Sequence, residues 1–183
     1  MRMWFGVISA CALLGACGPR APSAPQVNTA AQHTPVAWET TRDAAFFRAA
    51  VVYETYQIQA AQIAQASARS QAVKLYAASA EAEHRDARRA LTVLAIQHGL
   101  PMPADDLNAN YRAYIERLRG DDPTPFDVRY ISQQTLTTMS MAGRYDAFTS
   151  TAPDSPLKRW AAARNQAVHD DIQAAHRLAA TAH

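Results

Sequence analysis

The sequence predicts an all-α domain, an up-down bundle of four long helices with a short extra helix in the connection between the second and third. Three observations carry this expectation. From Thr41 onward, apolar residues recur at spacings of three and four. Alanine is abundant and β-branched runs are few, which favours helix. Glycine and proline gather at a few places and divide the chain into segments of bundle-helix length.

The first long helix is expected over residues 43–67, with Phe47, Val51, Glu54, Ile58 and Ala61 on its inward stripe. The stretch Ser67-Ala68-Arg69-Ser70 ends it and offers Ser70 as N-cap of the next helix. That second helix, residues 71–98, carries Val73, Ala77, Ala80, His84, Ala87, Leu91 and Leu94 inward. Gly99 supplies a left-handed C-terminal cap, and Pro101 and Pro103 prevent continuation. A short helix over residues 105–119 has an apolar face of Leu107, Tyr111, Tyr114, Ile115 and Leu118, and is expected to cross one end of the bundle. Gly120 to Pro125 break it. The third long helix spans residues 126–149 and the fourth residues 156–181, with Ser155 as cap and Pro156 in the first turn. The fourth presents Leu157, Trp160, Ala161, Arg164, Val168, Ile172 and Ala175 inward.

The N-terminal region has a different character. Arg2, the apolar residues 4–14 and the tetrapeptide Leu14-Gly15-Ala16-Cys17 resemble a bacterial lipoprotein signal peptide. The apolar run is shorter than the ~20 residues a bilayer span needs. The resemblance implies that residues 1–16 are removed and that Cys17 carries the lipid that makes the membrane a partner. Residues 17–40, rich in Pro, Ala, Ser, Thr and Gln, then read as a tether with too little apolar surface to fold, and residues 41–183 as the domain. Gly18 follows Cys17 where an Asp signals inner-membrane retention, so the expected address is the periplasmic face of the outer membrane.

Composition narrows the function further. With 18 Lys and Arg against 16 Asp and Glu, and no extended basic cluster, nucleic acid is not an expected partner. The two cysteines, Cys11 and Cys17, both lie in the export segment, so the domain has no thiol chemistry. No Gly-x-Ser-x-Gly, phosphate loop or His-Glu-x-x-His motif is present.

Ionisable residues on the inward stripes are therefore the informative exceptions. Glu54 stands between Val51 and Ile58, and Glu81 with His84 forms a Glu-x-x-His pair on one helix face. His169, on the fourth long helix, borders the core. A carboxylate-bridged di-iron bundle takes six ligands from four helices. Only Glu54, Glu81, His84 and His169 are on offer. Gln166 stands where a second Glu-x-x-His would start, and Gln134, Thr138 and Met141 occupy the third helix's inward face. The set argues against a di-iron site and leaves one divalent ion, zinc or iron, as the candidate cofactor. The competing reading is a hydrogen-bonded Glu54–His84 pair that fixes helix register without an ion.

The pattern Ala45-Phe46-Phe47, Glu54, Val73-Lys74-Leu75-Tyr76-Ala77, Glu83-His84, Phe126-Asp127-x-x-Tyr130, then Leu157-Lys158-Arg159-Trp160-Ala161 and His169 resembles a family of exported bacterial ferritin-like proteins catalogued as a domain of unknown function. The resemblance implies a ferritin-like four-helix bundle at the outer membrane. It carries the family's marks to Glu54, Glu83-His84, Asp127 with Tyr130, and His169. Thr138 stands where the family places a histidine on the third long helix. The expected role is non-enzymatic: an envelope accessory or stress-related protein that binds a protein partner or small ligand through its helical surface. The alternative is a metal-binding bundle with a degraded His/Glu site and weak redox or hydrolytic activity.

Overall fold

In the computed structural model, residues 41–181 are described; the expected signal segment, Cys17 and the tether lie outside them. These residues form five helices and no strand: α1 (Thr41–Ser67), α2 (Gln71–Gln97), α3 (Ala109–Arg119), α4 (Phe126–Thr151) and α5 (Pro156–Thr181). None is long and apolar enough to cross a membrane.

The helix ends follow local chemistry. At the end of α2, Gly99 has φ 63°. The Leu100 amide donates to the Ala95 carbonyl at 2.8 Å and the Gly99 amide to Ile96 at 3.3 Å, a Schellman closure that only a left-handed residue permits. Ser155 caps α5 by accepting from the Lys158 amide at 3.1 Å. Ser70 holds the N-cap position of α2, but its side chain makes no capping bond. Asp127, from another helix, holds the turn before α2, its two carboxylate oxygens accepting from the Arg69 and Ser70 amides at 3.0 and 2.8 Å. The short helix begins at Ala109 rather than at residue 105. The Asn108 side chain accepts from the Tyr111 amide there, whereas Asp105 is drawn into an ion pair with Arg88.

The same contacts fix the directions of the long helices. Asp127 places the start of α4 beside the α1–α2 turn. Arg42, at the start of α1, donates to the Thr151 carbonyl at the end of α4. Helix α4 thus runs antiparallel to α1 and in the same sense as α2. The simple up-down alternation expected from sequence holds within the hairpins α1–α2 and α4–α5 and fails between them. The connection from α2 to α4 must return along the length of the helices, so α3 packs on α1 and α4 instead of crossing an end.

Helix α1 touches α2, α3 and α4, so Tyr53, Tyr56, Gln57, Ala60 and Ala64 are buried alongside Phe47, Val51, Glu54 and Ala61 of the expected stripe, while Ile58 is half-buried. Two apolar clusters result. One joins Phe46, Val51, Leu91, Tyr145, Phe148 and Val168; the other joins Tyr56, Ala64, Val73, Ile115, Leu118 and Tyr130. Along α1, α2 and α4 the residues between them are buried and polar: Glu54 and Gln57, then His84, then Gln133, Gln134, Thr137 and Thr138. A polar band therefore crosses the middle of the domain.

Candidate functional site: a four-helix hydrogen-bonded cluster

Each long helix sends one polar side chain to a common point in that band. Glu54 of α1 is 0 % exposed, His84 of α2 2 %, Tyr145 of α4 0 % and Arg164 of α5 8 %. All four belong to inward stripes at spacings of three and four, so helical periodicity alone carries them inside.

Glu54 is the hub. Its Oε2 lies 2.5 Å from His84 Nδ1, and the Tyr145 hydroxyl donates to Oε1 at 3.2 Å. Arg164 Nε stands 3.5 Å from the same Oε1. Arg164 Nη2 lies 3.1 Å from His84 Nδ1 and 3.5 Å from Asp171 Oδ2. One imidazole nitrogen cannot both donate to a carboxylate and accept from a guanidinium. The shorter contact and the ionised partner favour the tautomer with hydrogen on Nδ1, donating to Glu54. Arg164 then acts as a counter-charge held between two carboxylates. Tyr53 packs its ring edge-on to His84, with centroids 5.5 Å apart, and donates to Thr138 Oγ1 at 3.2 Å.

The electrostatics match this enclosure. Burial, then the Glu54 charge, pushes the Tyr53 and Tyr145 hydroxyls well above the usual phenol range, so both stay protonated donors. Burial pulls the Arg164 guanidinium down, and Glu54 and Asp171 more than reverse that. Burial also raises the Asp171 carboxyl to about 6, against the opposing pull of His84 and Arg164.

The candidates read from sequence do not converge as a set. Glu54 and His84 meet; Glu81 and His169 do not join them. Glu81 is half-buried outside the cluster, where it accepts from Gln62 and Gln65 of α1 at 2.9 and 2.6 Å and pairs with Arg85 at 2.6 Å. Those bonds, with Gln65 first, hold its carboxyl below the usual range. The three-residue offset from His84 is enough to turn Glu81 from the core onto the α1–α2 seam. His169 is exposed and lies 3.7 Å from Asp146, also exposed. Among the described residues no group of three or more His, Cys, Asp or Glu is placed to hold a metal ion.

The other marked positions have structural partners. Glu83 is exposed and accepts from Ser79. Asp127 tethers the α1–α2 turn, while Phe126 stacks on buried Tyr130 at 6.3 Å. Thr138 receives Tyr53 and, at 3.4 Å, Gln57. Arg164, Tyr145 and Asp171 were not singled out from sequence. Arg164 had a signal, a permanent cation inside an otherwise apolar stripe, opposite an inward glutamate.

A model of the family described as Domain of unknown function (DUF4142) matches residues 25–178. The chain belongs to that family. The match takes in all of α1 to α4 and nearly all of α5. No curated protein and no solved structure matches the chain.

Proposed function

We propose that this member of the DUF4142 family is an exported, lipid-anchored protein whose domain is a ferritin-like four-helix bundle with a non-enzymatic binding role at the cell envelope. The observation that carries the non-enzymatic part is the enclosure of the buried cluster. Glu54 draws His84, Tyr145 and Arg164 onto itself behind exposures of 0 to 8 %, so none of the four faces a substrate. Such a cluster sets the relative register of four helices. The ferritin-like arrangement is supported by two hairpins joined by a connection that runs back along the domain. The address is supported by the Leu14-Gly15-Ala16-Cys17 segment.

Metabolic labelling with radioactive palmitate, followed by envelope fractionation, tests this reading. Labelled wild-type protein in the outer-membrane fraction, with label and sedimentation both lost in Cys17→Ala, is the expected result. Unlabelled wild-type protein in the soluble fraction would sink it.

A further inference from the structure

Two recesses adjoin along the seam of α1, α3 and α4, and they share Ala49 and Arg144 as wall residues. The first, about 230 Å³, is edged by polar groups from Tyr111, Tyr114, Asn110 and Ser140, with Met141 behind them. The second, about 290 Å³, is lined by Ala45, Phe46, Ala147 and Phe148, with Arg42 at its outer end. Their chemistry is opposite in character: hydroxyls and amides on one side of Arg144, methyl groups and phenyl rings on the other.

Charge decides what fits. No carboxylate lines either recess. Arg42 is already committed, to Asp43 at 3.4 Å and to the Thr151 carbonyl at 3.1 Å. Arg144 makes no ion pair or hydrogen bond with the described residues, and it is exposed. It is near enough to Tyr111 to pull down a hydroxyl pKa that burial raises to about 12, so that hydroxyl remains a donor. An uncompensated guanidinium beside donors favours an anion, and its planar fork matches a carboxylate. The apolar recess next door favours a ligand that continues into a hydrocarbon chain.

We propose that this seam binds a medium-chain aliphatic carboxylate, its acid group on Arg144 and its alkyl chain along the Phe46/Phe148 recess. The proposal rests on the binding role argued above and names that role's ligand class.

The test is calorimetric titration of the chain lacking residues 1–16 and carrying Cys17→Ser, with hexanoate, octanoate, decanoate, decylammonium and inorganic phosphate. One-to-one binding should tighten about fourfold for each added methylene of the carboxylate. Arg144→Gln, a change at an exposed position, should weaken decanoate at least about tenfold, the size expected for a charge-assisted contact. Ala147→Trp, also exposed, should fill the apolar recess and abolish the dependence on chain length. Absence of saturable decanoate binding overturns the proposal. So does equal affinity for decylammonium, phosphate binding as tight as decanoate, or an unaltered Arg144→Gln. Any of these removes this ligand alone, because palmitate labelling reads the envelope assignment separately.

Discussion

At the scale of single residues, the buried cluster makes opposite predictions for its members. Removing the Glu54 carboxylate leaves Arg164 charged, 8 % exposed and short of one of its two carboxylate partners. Removing one partner of a buried charge pair costs about 3–5 kcal/mol, and Asp171 still faces Arg164, so Glu54→Ala should lower unfolding free energy in urea by about 3 kcal/mol. Tyr145→Phe removes one neutral donor to Glu54 and should cost only about 1–2 kcal/mol. A smaller loss in Glu54→Ala than in Tyr145→Phe would contradict the placement of Arg164. Asp171 behaves differently because burial raises its carboxyl from 3.8 to about 6. A raised folded-state value means that the native chain binds the proton more tightly than the unfolded chain. The resulting stability is complete below about pH 4 and lost as pH rises through about 6, a swing of up to about 3 kcal/mol. Asp171→Asn, which mimics the protonated acid, should therefore flatten the stability profile between pH 4 and 7 and raise it at pH 7. A profile parallel to wild type would refute the assignment.

At the scale of elements, helix existence was legible in the sequence and helix ends were partly so. The α2 C-terminus was readable because Gly99 and Pro101 act locally, and the start of α5 because Ser155 and Pro156 do. The start of α2 was readable at Ser70, but its chemistry was not, since the turn before it is held by Asp127, 58 residues from Arg69 along the chain. This gives a paired prediction. Asp127→Ala should cost about 1–2 kcal/mol through two lost hydrogen bonds from backbone amides, while Ser70→Ala, whose side chain caps nothing, should stay within about 0.5 kcal/mol. Thermal unfolding of the two variants checks it, and a larger loss in Ser70→Ala would restore the serine as the cap. The course of α3 was equally unreadable. Its apolar face says that it packs, but only the direction of α4, set by contacts distant in sequence, says where.

At the scale of the whole molecule, two apolar clusters flank a polar band that a bundle of this size could replace with hydrocarbon. Glu54 and His84 were visible from sequence because a charge on an inward stripe stands out. Their closing partners were obscured: Tyr145 looks like ordinary core, and Arg164 gains its meaning only when α5 packs on α2 and α4 and brings it to Glu54. Glu81 shared a motif with His84, but only His84 lay on the inward stripe, and Glu81 turns to the α1–α2 seam. The band's role can be separated from chemistry by exchanging the cluster as a unit. Glu54→Leu, His84→Leu, Tyr145→Phe and Arg164→Met together remove both the charges and their desolvation cost. Buried ion clusters exchanged in this way are often neutral or stabilised by about 1–4 kcal/mol. The combined variant should therefore unfold at or above the wild-type temperature, in contrast to Glu54→Ala alone, and should still restore whatever phenotype loss of the wild-type protein produces. A folded combined variant that fails to restore that phenotype would assign the cluster a chemical task and overturn the non-enzymatic reading. Retained function with lost helix register, seen as collapsed dispersion in a ¹H–¹⁵N spectrum, would instead show that the four polar groups fix the packing of a domain whose working surface lies elsewhere.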